Sequence, residues 1–362
     1  MAPVVHALDR APAIESIVCS TGQHHEMLDQ VLDAFALRAD HDLKIMRPAQ
    51  TLTSVMTAVL QGLETVFAEI KPDWVLVHGD TTTAMSAALA AFYQQIPVGH
   101  VEAGLRTGDI YSPWPEELNR SVVGRIAQAH FAPTEAARAN LLAENVPANR
   151  IEVTGNTVID ALLWVRDHRL SADDASQQYH EMFPYLDPAK KLVLVTGHRR
   201  ENLDGGLVNV CNALRQLAER GDVQVLYPVH LNPAVQEAAR STLGDVADVF
   251  LEAPLEYLPF VWLMDRSHLI ITDSGGIQEE APSLGVPVLV TREVTERPEA
   301  VDAGVVKLVG TVTDTIVSAA TKLPDDETEH ASMSAASSPY GDGQAAERIS
   351  AYLSRVGADD GA

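Results

Sequence analysis

Short apolar runs punctuate the chain at residues 14–19, 74–78, 98–101, 151–153, 192–196, 223–227, 269–272 and 286–290. They are rich in β-branched residues and do not alternate with polar ones, which suits parallel strands buried on both faces. The intervening segments, for example 51–70, 81–93 and 115–128, have helical spacing and end at Pro or Gly signals. This alternation predicts a doubly wound α/β fold. A polar, strand-poor stretch at 167–191 interrupts it, and the alternation restarts at Leu192. The pattern therefore predicts two Rossmann-like domains facing a cleft, an N-terminal one over 1–168 and a C-terminal one over 190–325. The tail after Leu323 reads as a surface loop, followed by a helix at about 343–355 that packs back on the first domain.

Composition narrows the classes. At 362 residues and 46% hydrophobic content the chain can bury two ordinary cores. Its apolar runs fall far short of the roughly 20 residues that span a bilayer, and the start MAPVVHALDR has no basic-then-apolar leader. A cytoplasmic protein is expected. The two cysteines, Cys19 and Cys211, read as reduced, buried thiols. A net charge of -24 argues against nucleic acid and anionic membranes as partners. The histidines lack a recurring ligand spacing and no dense aspartate cluster occurs, so no metal is expected.

Domains of this class place their chemistry just after strands. In TDSGGIQEE, residues 272–280, a strand ends and Ser274-Gly275-Gly276 opens a helix. Bare backbone amides at a positive helix end favour an anion, and Glu280, one turn on, suits sugar hydroxyls beside it. Glycines that permit tight helix–sheet packing explain the same residues equally well. In the first half, Asp80 follows one strand, Glu102 the next, and Glu116, Glu117 and Arg120 open a helix. Carboxylates crowded at neighbouring strand ends raise one another's proton affinity and become acid/base candidates; salt bridges with Arg106, Arg120 and Arg125 are the competing explanation. In the second half, His198-Arg199-Arg200-Glu201, His230, Arg292 and Arg297 gather at strand ends and suit an anionic ligand, while the rings of Tyr257 and Phe260 are either core or a platform for a base.

The ordered strings VHGDTTT, HVEAGLRTGD, SPWPEELNR, TGNTVID, TGHRREN, PLEYLPF and TDSGGIQEE, across about residues 1–310, resemble the non-hydrolysing bacterial UDP-N-acetylglucosamine 2-epimerase family. The resemblance implies the B-type glycosyltransferase fold, usually as a homodimer. It also implies an isomerase that exchanges UDP-N-acetylglucosamine and UDP-N-acetylmannosamine through elimination and readdition of UDP, with no nicotinamide or other cofactor. By that resemblance Asp80, Glu102, Glu116 and His198 are catalytic. Arg120, Phe260, Ser274, Gly275, Gly276 and Glu280 bind substrate. Gln23 and His230 match a second, activating substrate site of some relatives, although Glu26 and Ala58 stand where such relatives have glutamine and arginine, which argues against activation.

Members of that family carry a first strand and Gly-Thr-Arg-Pro-Glu-Ala-Ile-Lys before Met-Ala-Pro, whereas this sequence starts at Met1-Ala2-Pro3. The expectation is a first domain short of one strand and of a nucleotide-contacting loop, from a start codon assigned too late or in a chain that is unstable or poorly active as written. Three rival functions share much of the pattern: an epimerase of a UDP-diacetamido-hexuronic acid, a B-type glycosyltransferase, and an inactive nucleotide-sugar sensor.

Overall fold

The computed structural model describes residues 1–22, 25–47, 49–171, 173–197, 205–335 and 338–359. They form two compact units, Met1–Ala161 with Tyr340–Ala362, and Leu162–Pro339.

In the first unit two parallel ladders occur. One pairs β1 (Cys19–Ser20) with β2 (His41–Asp42); the other runs in the order β3 (Val75–His78), β4 (Val98–Val101), β5 (Ala129–Ala132), β6 (Ile151–Val153). The run at 14–19 contributes only its last residue to a strand, since pairing with β2 begins at Cys19 and the Val18 amide instead donates to the Asp40 carboxylate at 2.8 Å. Strand β5 escaped the hydrophobic pattern because its sequence AHFA has too few large apolar residues to stand out, yet all four positions are buried.

Helix Leu52–Ile70 begins where Thr51 accepts a hydrogen bond from the Ser54 amide and ends at Lys71 in the left-handed region. Its Val55, Val59, Leu63 and Phe67 recur at the helical period and join Val77, Ala88, Ala91 and Val98 in one core cluster. The helix Ala345–Asp359 belongs to this unit. Its Ile349 and Leu353 pack with Val4, Ala7 and Leu8 of helix Ala2–Asp9, and its first amides, Ala345 and Ala346, donate to the buried Asp160 carboxylate at 3.3 and 2.8 Å. Burial raises the proton affinity of Asp160, and those amide bonds act against the rise.

The second unit holds one parallel sheet. Its strands are β7 (Lys191–Thr196), β8 (Val223–Pro228), β9 (Val249–Glu252), β10 (Leu269–Thr272), β11 (Val288–Val290) and β12 (Val306–Leu308), in the order β12-β11-β10-β7-β8-β9. Strand order therefore reverses between β7 and β10, the switch point beside which α/β sheets of this kind bind ligands. The register sets Thr196 against Thr272, so both strands end at one level. Leu207, Val210, Leu214 and Leu217 of helix Gly206–Ala218 cover Val193, Val195 and Val225 of the sheet. The buried Cys211 lies in the same helix; burial pushes its thiol up to about 11, so it is inert as a nucleophile at neutral pH.

The stretch after Leu323 is helical where a loop was expected. Helix Thr313–Asp325 is followed by Glu327–Ala335. Asp326 joins them, accepting from the Thr328 and Glu329 amides at 3.0 and 3.1 Å, and Lys322 reaches Glu329. A side-chain cap and an ion pair thus hold a segment too poor in large apolar residues to announce itself.

Candidate active site

The turn after β10 is built in layers. The hydroxyls of Thr196 and Thr272 are 2.6 Å apart, and Thr272 accepts from the Ser274 amide at 2.9 Å. Ser274 is the N-cap of helix Gly275–Ser283, but its side chain makes no capping bond, so the helix tip keeps its outward amide donors. Gln278, fully buried, donates to the Ser274 carbonyl at 3.1 Å and accepts from Thr295 at 2.6 Å, which anchors the tip from behind.

The two glycines can now be explained. Neither lies in the left-handed region, and a Cβ built on Gly275 would come no closer than 3.9 Å, to the Arg297 guanidinium; one on Gly276 would come no closer than 4.0 Å, to a Glu280 carboxylate oxygen. Packing does not require them. By contrast a Cβ on Gly99 would lie 2.6 Å from Leu76, and one on Gly104 2.3 Å from the Ala137 carbonyl. The space in front of Gly275 and Gly276 is room for a ligand to approach bare backbone beside a cation. Glu279, almost fully buried, pairs with Arg297 and holds that cation at the tip. Arg292 is a different case: it is buried and paired with Glu296 at 2.6 Å.

Glu280 stands over the tip. Burial pushes its carboxyl up to about 7, and the Glu279 charge adds to the rise. Tyr257, whose hydroxyl burial also drives upward, and the half-buried Phe260 belong to helix Tyr257–Arg266 in the same unit. His230 lies exposed beyond β8, its Nδ1 accepting from the Asn232 amide at 3.0 Å. His198 and Gln23 lie outside the described residues, as do Arg199, Arg200 and Glu201.

The first unit gathers its polar groups at the ends of β3 and β4. Asp80 is bonded by the Arg120 guanidinium at 2.5 Å, and the Asp80 carbonyl accepts from Asn119 at 2.8 Å. Glu102 takes the left-handed conformation, φ 63°, a strained choice for a side-chain-bearing residue, which turns its carboxylate back over Gly79 and to 3.3 Å from His78 Nε2. Burial drives His78 down to about 3, so this contact joins a neutral imidazole to a carboxylate. His100 is likewise neutral at about 3, buried with Nε2 2.8 Å from the Gly79 carbonyl. Asp80 thus faces the Arg120 guanidinium and Glu102 the His78 imidazole.

Glu116 lies half-buried in the first turn of helix Glu116–Ile126. Its neighbour Glu117 is buried, accepts from the Thr107 and Gly108 amides at 3.1 Å each, and stands 3.3 Å from Arg120. Of the expected ion pairs, Arg120 with Asp80 forms, whereas Arg106 binds Glu144 through two bonds of 2.6 and 2.9 Å. Glu117 and Asn119 were not singled out by spacing as supports for Asp80; only their burial reveals that role.

Parallel α/β units, with an open, cation-flanked helix tip beside a topological switch point, define a doubly wound α/β protein with the B-type glycosyltransferase fold of its structural neighbours. A family model described as UDP-N-acetylglucosamine 2-epimerase matches residues 6–354. The UDP-N-acetylglucosamine 2-epimerase of Escherichia coli strain K12 is 59% identical over 350 residues, 96% of this chain and 93% of the relative, and that of Bacillus subtilis strain 168 is 54% identical over 353 residues, 96% and 90%. A crystal structure of UDP-GlcNAc 2-epimerase from Neisseria meningitidis bound to UDP-GlcNAc superposes with a TM-score of 0.86 at 49% identity, covering 98% of this chain and 96% of that one. The chain belongs to the UDP-N-acetylglucosamine 2-epimerase family.

Proposed function

We propose that this chain is an isomerase that interconverts UDP-N-acetylglucosamine and UDP-N-acetylmannosamine by inverting carbon 2. The observation that carries the reading is the tip of helix Gly275–Ser283, with unused amides, two glycines that nothing in the packing demands, and Arg297 alongside. That tip takes the diphosphate, Glu280 the ribose hydroxyls and Phe260 the uracil. The names of the relatives do not favour the hexuronic acid epimerase or the transferase.

In the reaction a carboxylate removes the carbon 2 proton while the bond from carbon 1 to the phosphate oxygen breaks with its electron pair on UDP. This leaves 2-acetamidoglucal and UDP. In the second half the UDP oxygen rebonds to carbon 1 and a proton arrives on the opposite face of carbon 2, so atoms and electrons balance within the substrate. We assign the proton transfers to Asp80, Glu102 and Glu116, with His198 as a fourth catalytic group. Arg120 serves the diphosphate through the N–H groups that Asp80 and Glu117 leave over. Helix-tip amides and guanidinium stabilise the departing diphosphate, and the sugar ring gains the positive character that acidifies carbon 2.

Exposed Phe92, Tyr93, Tyr111 and Trp114 on the first unit support a homodimer, to be checked by light scattering of the purified chain. No helix among the described residues is long and apolar enough to cross a membrane, which is compatible with the cytoplasm as the site of action. Incubation with UDP-N-acetylglucosamine in deuterated water tests the function: the manno product should carry deuterium at carbon 2. Product without deuterium, or a requirement for an acceptor, would overturn it.

A further inference from the structure

A recess of about 170 Å³ opens in the first unit, where the end of helix Glu116–Ile126 meets the segment 144–150. None of Asp80, Glu102 or Glu116 lines it. Its rim carries Arg125 and Arg150, and neither guanidinium has a hydrogen bond or ion pair among the described residues. In a chain with 50 acidic and 26 basic residues, two such arginines at one opening stand out. His130, on β5, also lines the recess; it is only 1% exposed, and its Nδ1 has no hydrogen-bond partner. An unmet polar atom at that depth carries a desolvation cost that a ligand in the recess would offset. Glu144 completes the lining, already engaged by Arg106, which lies close against Gly124.

We propose that this recess is a second anion site, which takes a protonated phosphate group, either hydrogen phosphate or a phosphomonoester. The donor set selects that chemistry. Arg125 and Arg150 each present N–H groups to anionic oxygens. Burial, with Arg106 and Arg150 nearby, drives the His130 imidazole down to about 4, so at neutral pH the ring is uncharged and its buried Nδ1 is left to be met by a ligand. A ligand that carries both an O–H and negative oxygens meets Nδ1 in either tautomer and the arginines together. A phosphate monoanion or hydrogen phosphate does both, whereas sulfate has no proton to give. The Glu144 carboxylate acts in the same direction, against a ligand of full negative charge.

The site is independent of turnover, so binding is the readout. Titration calorimetry of the full chain at pH 7 with inorganic phosphate, sulfate and glycerol phosphate should show phosphate binding at least about tenfold more tightly than sulfate. The double variant R125Q/R150Q, altered only at exposed side chains, should weaken phosphate by about tenfold or more, while G276L, which obstructs the helix tip of the other unit, should leave this binding unchanged. Glycerol phosphate matching inorganic phosphate would assign a phosphomonoester; its exclusion would assign the free anion. Absence of phosphate binding, equal affinity for sulfate, an unaltered R125Q/R150Q, or loss in G276L would overturn the proposal.

Discussion

Two strand-to-helix turns of this molecule have the same grammar and opposite construction. After β3, Thr81 caps helix Thr82–Tyr93, accepting from the Ala84 amide at 3.1 Å, and Arg120 and Asn119 hold Asp80 in place beside the turn. After β10, Ser274 leaves its helix uncapped, two glycines clear the approach, and the supports stand behind the tip. At the turn after β3 the cap takes up one helix amide, and the group held beside the turn is a side chain, the Asp80 carboxylate. A turn whose amides are left over presents the backbone itself, and backbone N–H groups suit a diphosphate. The proposed division between proton transfer and leaving-group binding follows whether a helix caps itself.

The largest expected effect breaks the comparison on the side-chain side. Asp80→Asn keeps the size and a hydrogen bond to Arg120 but removes one of the carboxylates proposed for proton transfer. The expected outcome is a loss of kcat of about a thousandfold with UDP binding retained, measured by product formation and by calorimetry. A parallel loss of UDP affinity would show that Asp80 serves binding and would erase the distinction between the turns.

Next comes the backbone side. Gly276→Leu places a branched side chain in the cleared space, where the nearest atom to a new Cβ is a Glu280 oxygen at 4.0 Å. The fold should tolerate it, with a Tm within a few degrees of the parent. UDP should bind about a hundredfold more weakly, because the anion can no longer reach the amides. Unchanged UDP affinity would remove the helix tip from the function.

Much of this was legible in the sequence because strand ends and Gly pairs leave local marks. The runs at 98–101 and 269–272 coincide with β4 and β10, whereas the room around Gly275 and Gly276, which removes a packing requirement for them, is a matter of neighbouring atoms. What spacing could not supply is partner choice. By spacing Arg106 and Arg120 were equally able to pair with the strand-end carboxylates, yet Arg120 binds Asp80 and Arg106 binds Glu144. The support of Thr107 and Gly108 by Glu117, and of Ser274 by Gln278, depends on burial of polar side chains that sequence alone reads as surface. β5 was missed because three of its four residues are small or polar, and burial of a strand is decided by its neighbours in the sheet.

A smaller effect separates the turns by pH. Glu280 is raised from the usual 4.5 to about 7 in the folded chain, so between those values the fold keeps a proton that the unfolded chain releases. Its contribution to stability is complete below about 4.5 and is lost as pH rises toward 7. The histidines of the first unit work in the other sense: His78 and His100 are lowered from 6.5 to about 3, so the folded chain resists protonation and loses stability as pH falls below 6.5. Urea midpoints across pH 4 to 8 should fall at the acid end in both parent and Glu280→Gln. The variant should lose the decline toward neutral pH, and an identical profile in both chains would remove the raised carboxyl from the account.

The smallest effect is the most direct comparison of the caps. Thr81→Ala deletes a bond to the Ala84 amide and should lower stability by about 1 kcal/mol. Ser274→Ala deletes a side chain that makes no cap bond, so the loss should be no more than a few tenths of a kcal/mol. Denaturant unfolding of both variants with and without UDP adds the decisive contrast. If UDP binds at the amides, as proposed, and not at the Ser274 hydroxyl, it should stabilise both chains, and the stability difference between them should persist when the ligand saturates. If Ser274→Ala proved as costly as Thr81→Ala without ligand, the tip after β10 would be capped in solution, and its amides would not be waiting for a diphosphate.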